Sequence, residues 1–168
     1  MSFERIQLFL ESNPEYGWML VFLFGFIESM IITGSIMPST ILFSLCIYLY
    51  SIELLTLPWI CGIALLGSHA GDICGFLLGK SIGPTVLNSK FIQKRQKAII
   101  KTQEFLDRFG PYTVLVGRFI PAIRPLVPFL LGISDLRLKR FYLADVIACS
   151  FWAIALALLV VSVGSIFK

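Results

Sequence analysis

Charge is scarce in this chain. Asp, Glu, Lys and Arg make up 14% of its 168 residues, against about 25% in soluble domains. That excludes disorder, a state of charge-rich and apolar-poor chains. Histidine occurs once, as His69. A single imidazole with no Cys or Glu at ligand spacing gives no basis for a zinc site. Cysteine pairs are missing too. Cys46, Cys61, Cys74 and Cys149 form no C-x-x-C unit and lie in apolar runs, where the expected role is that of small buried hydrophobes without disulfide or metal. No cofactor is implied. Residues 1–17 lack a basic n-region and cleavage site, with Glu4, Glu11 and Glu15 against Arg5, and no signal peptide is expected.

What the chain does have is apolar surface. Hydrophobic residues reach 57% and the mean hydropathy is +0.87, more than a soluble protein of this size could bury. An all-α, integral membrane protein is expected. The net charge of +4 then bears on topology and anionic headgroups rather than on nucleic acid.

The pattern divides a single membrane domain into six parts. Residues 1–17 mix charge with Phe3, Ile6, Leu8, Phe9 and Leu10 and suit a surface segment. Residues 18–50 are too long for one crossing, which takes about 20 residues, and too short for two. Gly34 and Pro38 interrupt them and Glu28 lies inside, so a re-entrant hairpin is expected. Residues 57–79 fit one span, with His69 and Asp72 near its end. The stretch from Lys80 to Gly110 carries seven Lys/Arg against Glu104 and Asp107. Phe91/Ile92, Ala98/Ile99, Phe105/Leu106 and Phe109 recur at helical spacing within it, predicting a basic amphipathic helix at 84–110, either in the headgroup plane or packed on the protein's own surface. Residues 111–133 form a second hairpin broken by Pro121, Pro125 and Pro128, and 141–166 a second span.

The order of hairpin, span, basic helix, hairpin and span reads as an internal repeat. Lys/Arg bias puts 80–110 and 134–140 in the cytoplasm. The second hairpin then enters from the cytoplasm and the first, with Lys/Arg-poor flanks, from outside. Two inverted halves with broken helices meeting near the midplane is a transporter plan.

Charges at hydrocarbon depth cost at least about 2.5–3.5 kcal/mol each unless paired or hydrated. Glu28, Asp72, Arg118, Arg124 and Asp145 are placed there. Arg118 and Arg124, six residues apart, would point about 120° apart on a straight helix. Pro121 between them frees the backbone and lets both forks converge on one pocket, with Glu28 as counter-charge. Such a pocket suits phosphate, though a static ion pair fixing hairpin packing would also account for the residues. His69 either caps its span at the interface or relays protons with Asp72. Ser68-His69 and Arg124-Pro125 faintly suggest a lipid phosphatase. Those enzymes need two histidines, so no enzyme is expected.

The run Gly117-Arg118-Phe119-Ile120-Pro121-Ala122-Ile123-Arg124, followed by Pro128 to Gly132, resembles the signature of the DedA family, also called the SNARE-associated Golgi or VTT-domain family. Phe26-Ile27-Glu28 with Pro38-Ser39-Thr40, Gly71-Asp72-Ile73-Cys74-Gly75-Phe76 with Gly79, Lys80 and Gly83, and Arg140-Phe141 through Trp152 resemble its other parts in order and spacing. The similarity covers residues 18–165. It implies a lipid flippase or scramblase in the bacterial cytoplasmic (inner) membrane, moving polyprenyl phosphate carrier or phospholipid between leaflets. Arg118, Arg124, Glu28 and Asp72 would handle the lipid. Many bacterial members carry an acid where Thr40 stands, so a proton-coupling group of those members is missing. A proton- or cation-coupled transporter of small solutes and a non-transporting scaffold are the other readings, and a homo-oligomer is left open.

Overall fold

The computed structural model describes residues 3–31, 33–34, 39–87, 96–120, 123–134 and 136–165. Regular structure among them is helical throughout. In chain order it comprises α1 (Phe3–Ser12), α2 (Gly17–Ser29), α3 (Thr40–Ser51), α4 (Leu57–Leu87), α5 (Gln96–Phe109), α6 (Thr113–Arg118), α7 (Leu126–Ile133) and α8 (Leu138–Gly164), with single 3-10 turns at Pro14–Tyr16 and Gly110–Tyr112.

Two helices are long and apolar enough to cross a bilayer, over Leu57–Ile82 and Leu138–Gly164. On α8, Leu143, Ile147, Phe151, Ile154, Leu158 and Val161 are exposed. Their spacing of three or four residues makes one outward apolar stripe, the pattern of a helix whose solvent is lipid. The other apolar helices are short. α2 with 13 residues and α3 with 12 reach about 20 Å, and α6 and α7 about 9–12 Å, against a hydrocarbon core of about 30 Å.

Both breaks fall where the sequence predicts them. α2 stops at Ser29 because Met30 turns extended, and the Gly34 N–H bonds Met30 O at 2.8 Å. A Cβ on Gly34 would lie 2.0 Å from Glu28 O, so only glycine fits there. α6 stops at Arg118, the chain turns with Arg124 N–H on Ile120 O at 3.0 Å, and Pro125 precedes the first residue of α7. Pro38 and Pro121 lie outside the described residues. Pro128 does not break anything. It is the third residue of α7, where a missing N–H has no intrahelical partner to lose.

Two expected boundaries move. The first long span does not end at Gly79 but continues to Leu87, so residues 84–87 belong to α4. The described basic helix is α5, from Gln96 to Phe109. Phe91 and Ile92 lie outside the described residues. Phe105 and Leu106 pack against the second core cluster, and Thr113 Oγ1 donates to Phe105 O at 2.8 Å, tying α5 to the start of α6.

α4 is the spine. Its first half packs on α2 and its second half on α7, through glycines at every fourth position, 67, 71, 75 and 79. A Cβ on Gly79 would lie 2.0 Å from Phe129 O, and one on Gly132 of α7 equally close to Phe76 O. The two backbones touch there, the close approach that small residues permit between membrane helices. One apolar cluster gathers Val21, Phe24, Leu42, Leu45, Ile60, Ile63, Trp152 and Leu156. A second gathers Phe76, Val114, Ile123, Val127, Leu131, Phe141 and Ala148. α4 and α8 run through both, and the residues between carry the charge.

Candidate functional site

Between the two clusters lies a buried polar belt of Glu28, Ser29, Ser68, Asp72, Arg118, Arg124 and Asp145. Helical spacing assembles it. Ser68 and Asp72 are i and i+4 on α4, while Asp145, Cys149 and Trp152 are i, i+4 and i+7 on α8. Glu28 and Ser29 close α2. Arg118 is the last residue of α6, and Arg124 follows in the turn before α7.

The break between the arginines does let both converge. Arg118 Nη2 donates to Ser68 Oγ at 3.1 Å and Arg124 Nη2 to the same oxygen at 3.4 Å. Ser68 Oγ is also 2.7 Å from Ser29 Oγ. Both guanidinium carbons lie over the Trp152 ring, at 5.1 Å for Arg124 and 5.9 Å for Arg118, within cation–π range.

The counter-charges are divided. Glu28 pairs with Arg124 alone. Arg118 pairs with Asp72, with Nη1 at 2.8 Å from Oδ2 and Nη2 on the same oxygen. Arg118 Nη2 also reaches Cys149 Sγ at 2.8 Å and lies 4.0 Å from Asp145 Oδ1. Asp72 is therefore not a hydrated residue near a helix end. It is 2% exposed and sits mid-helix, because α4 extends to Leu87.

His69 is neither a cap at the interface nor a partner of Asp72. Its Nδ1 lies 2.6 Å from Asp145 Oδ2, and its ring meets Tyr142 edge-on at 4.7 Å. His69, Asp145 and Cys149 hold donor atoms within 4.8 Å of one another. Arg118 fills that neighbourhood with a fixed positive charge, so the set does not fit a cation. Ser29, Ser68, Cys149 and Trp152 belong to the belt although the motifs did not single them out. For Ser68 and Cys149 the signal was position, one helical turn from Asp72 and Asp145, while Ser29 adjoins Glu28 and Trp152 lies two turns from Asp145.

A cleft of about 260 Å³ opens onto the belt, lined by Ser39, Phe43, Arg118, Phe119, Arg124 and Trp152 with Ala155, Leu156 and Leu159 of α8. The buried Arg118 and Arg124 make its inner end cationic, and apart from Ser39 the other lining residues are apolar. Thr40, beside Ser39, is exposed.

The sequence is similar to a known domain family and to several membrane proteins. The VTT domain profile matches residues 37–162. Inner membrane protein YabI of Escherichia coli (strain K12) is 33% identical over 149 residues, covering 88% of this chain and 58% of that protein. An uncharacterized membrane protein of Buchnera aphidicola subsp. Acyrthosiphon pisum, BU139, is 32% identical over 146 residues, covering 86% and 56%. Protein DedA of E. coli (strain K12) is 26% identical over 152 residues, covering 86% and 68%. The chain thus spans 56–58% of the length of the first two. No solved structure matches the chain. The chain belongs to the VTT-domain (DedA) family. It is an integral membrane protein, with two helices long and apolar enough to cross a bilayer, and its YabI relative is named as a protein of the inner membrane.

Proposed function

We propose that this protein moves phosphate-bearing lipids, either a polyprenyl phosphate carrier or a phospholipid, between the leaflets. One observation carries the reading: two buried arginines form the inner end of a cleft whose outer wall is Phe43, Ala155, Leu156 and Leu159. A phosphate headgroup would meet paired guanidinium forks and its chains would meet apolar side chains. A small polar solute would gain nothing from that wall.

The half-length helices α2, α3, α6 and α7 support re-entrant hairpins, since none is long enough to cross. Broken helices around a midplane site also leave free backbone groups facing the substrate. Arg108 on α5 with Arg137, Lys139 and Arg140 around the start of α8 supports a cytoplasmic location for the flanks of the second hairpin. Cysteines introduced at Lys101 and Arg140 are expected to resist membrane-impermeant thiol reagents in intact cells. Labelling of both from outside would reverse the orientation.

The deciding experiment is translocation of fluorescent phospholipid in proteoliposomes made with the full chain. Flipping above the protein-free rate, lost with Arg124→Ala, is expected. Equal rates with and without protein, for phospholipid and for polyprenyl phosphate, would reject the reading.

A further inference from the structure

The charges of the polar belt do not balance. Among the described residues, three carboxylates are buried (Glu28, Asp72 and Asp145) against two guanidiniums (Arg118 and Arg124). Fully ionised, the belt carries one net negative charge, which burial makes costly. One additional proton removes it.

The contacts of each group bear on where that proton sits. Glu28 is engaged by Arg124 and Asp72 by both terminal nitrogens of Arg118. Asp145 is fully buried and holds Arg118 only at 4.0 Å, while its other oxygen is 2.6 Å from His69 Nδ1. The remaining groups facing this pair are the Asp72 carboxyl, which lies in hydrogen-bond contact with Asp145, the Cys149 thiol, which donates to Asp145 Oδ2 at 3.6 Å, and the Tyr142 ring. None of them becomes a cation. Only the imidazole gains positive charge on taking a proton. With its side chain 12% exposed, His69 is also the member of the pair that water can reach.

An anion arriving at the arginines adds a second negative charge beside the belt, which favours the protonated imidazole further. We propose that His69 and Asp145 form a proton-binding site, and that the proton taken up there offsets the charge of a phosphodiester lipid held at Arg118 and Arg124. The inference rests on the lipid-phosphate reading of the cleft. Coupling of this kind is reciprocal: anion binding draws in the proton, and the proton strengthens anion binding.

The probe is lysophosphatidylglycerol, whose diester keeps one negative charge across the pH range used. Binding to the full chain in neutral detergent is measured from pH 5.5 to 8.5. Uptake of one proton per anion makes the apparent Kd rise by up to about tenfold per pH unit over the range in which that uptake occurs. His69→Gln, at a partly exposed position, is expected to flatten that dependence to within about twofold. Because the chain has one histidine, ¹⁵N-histidine labelling gives the protonation of His69 from a single residue's signals, with and without lipid. A histidine fixed in one protonation state across the range overturns the proton site. A pH-independent Kd with normal binding overturns the coupling. Failure to bind lysophosphatidylglycerol at any pH overturns the anion reading and the coupling together, while the histidine titration still decides the proton site.

Discussion

Arg118 and Arg124 are six residues apart, almost equally buried at 6% and 8%, and share Ser68 and the Trp152 face, yet they are held differently. Arg118 has a carboxylate, a hydroxyl and a thiol on its terminal nitrogens, with a second carboxylate at 4.0 Å. Arg124 has one carboxylate and a long contact to Ser68. An arginine offers five N–H donors, and the two residues differ in how many the protein itself occupies. Burial does not distinguish a cation that fixes helices from one free to meet a ligand. The tally of occupied donors does, and at the site the two share it leaves Arg124 with more donors for a ligand than Arg118.

The sharpest way to break this comparison is to remove each carboxylate. Asp72→Asn leaves Arg118 without its main partner in a dry site, a loss of about 3–5 kcal/mol. It is expected to lower the thermal midpoint and folded yield in detergent more than Glu28→Gln does. Equal losses would mean the arginines are equivalent. Next comes Arg124→Lys, which keeps the charge and removes the planar fork. Folded yield should stay near wild type while lipid translocation falls about tenfold or more, the equivalent of about 1.5–3 kcal/mol for one charge-assisted hydrogen bond. A reversed pattern, with yield lost and transport kept, would make Arg124 structural as well. The smallest change is Ser68→Ala. It removes the acceptor the two arginines share, costs about 1 kcal/mol, and should make the phenotypes of Arg118 and Arg124 variants more nearly additive in a double-mutant cycle.

The sequence made the residues of the belt easier to read than their pairing. Glu28, Asp72, Arg118, Arg124 and Asp145 were legible because a charge in an apolar run needs a reason. The break between the arginines was legible from Pro121 and Pro125. Partner choice was not, because it depends on how α2, α6 and α8 rotate about α4, and apolar periodicity says little when helices are apolar on nearly every face. Asp72 read as lying near the end of its span only because the apolar run thins near Lys80. The helix itself continues, since propensity and hydrogen bonding do not stop where hydropathy does. His69 met Asp145 across 76 positions of sequence, a contact no local spacing encodes. The glycines at 71, 75 and 79 were read as part of a family signature, and the close helix approach they allow together with Gly67 emerged only with the structure.

Trp152 has a practical consequence. The chain contains three tryptophans. Trp18 and Trp59 are 53% and 66% exposed, whereas Trp152 is 5% exposed and lies beneath both guanidiniums. With Trp18 and Trp59 replaced by phenylalanine, the emission of the whole molecule comes from one indole whose excited state senses the nearby cations. Any anion that settles on those arginines, or any movement of α6 that lifts one of them from the ring, alters the colour and intensity of that emission. The site therefore carries its own optical probe, readable in a bilayer without any attached dye.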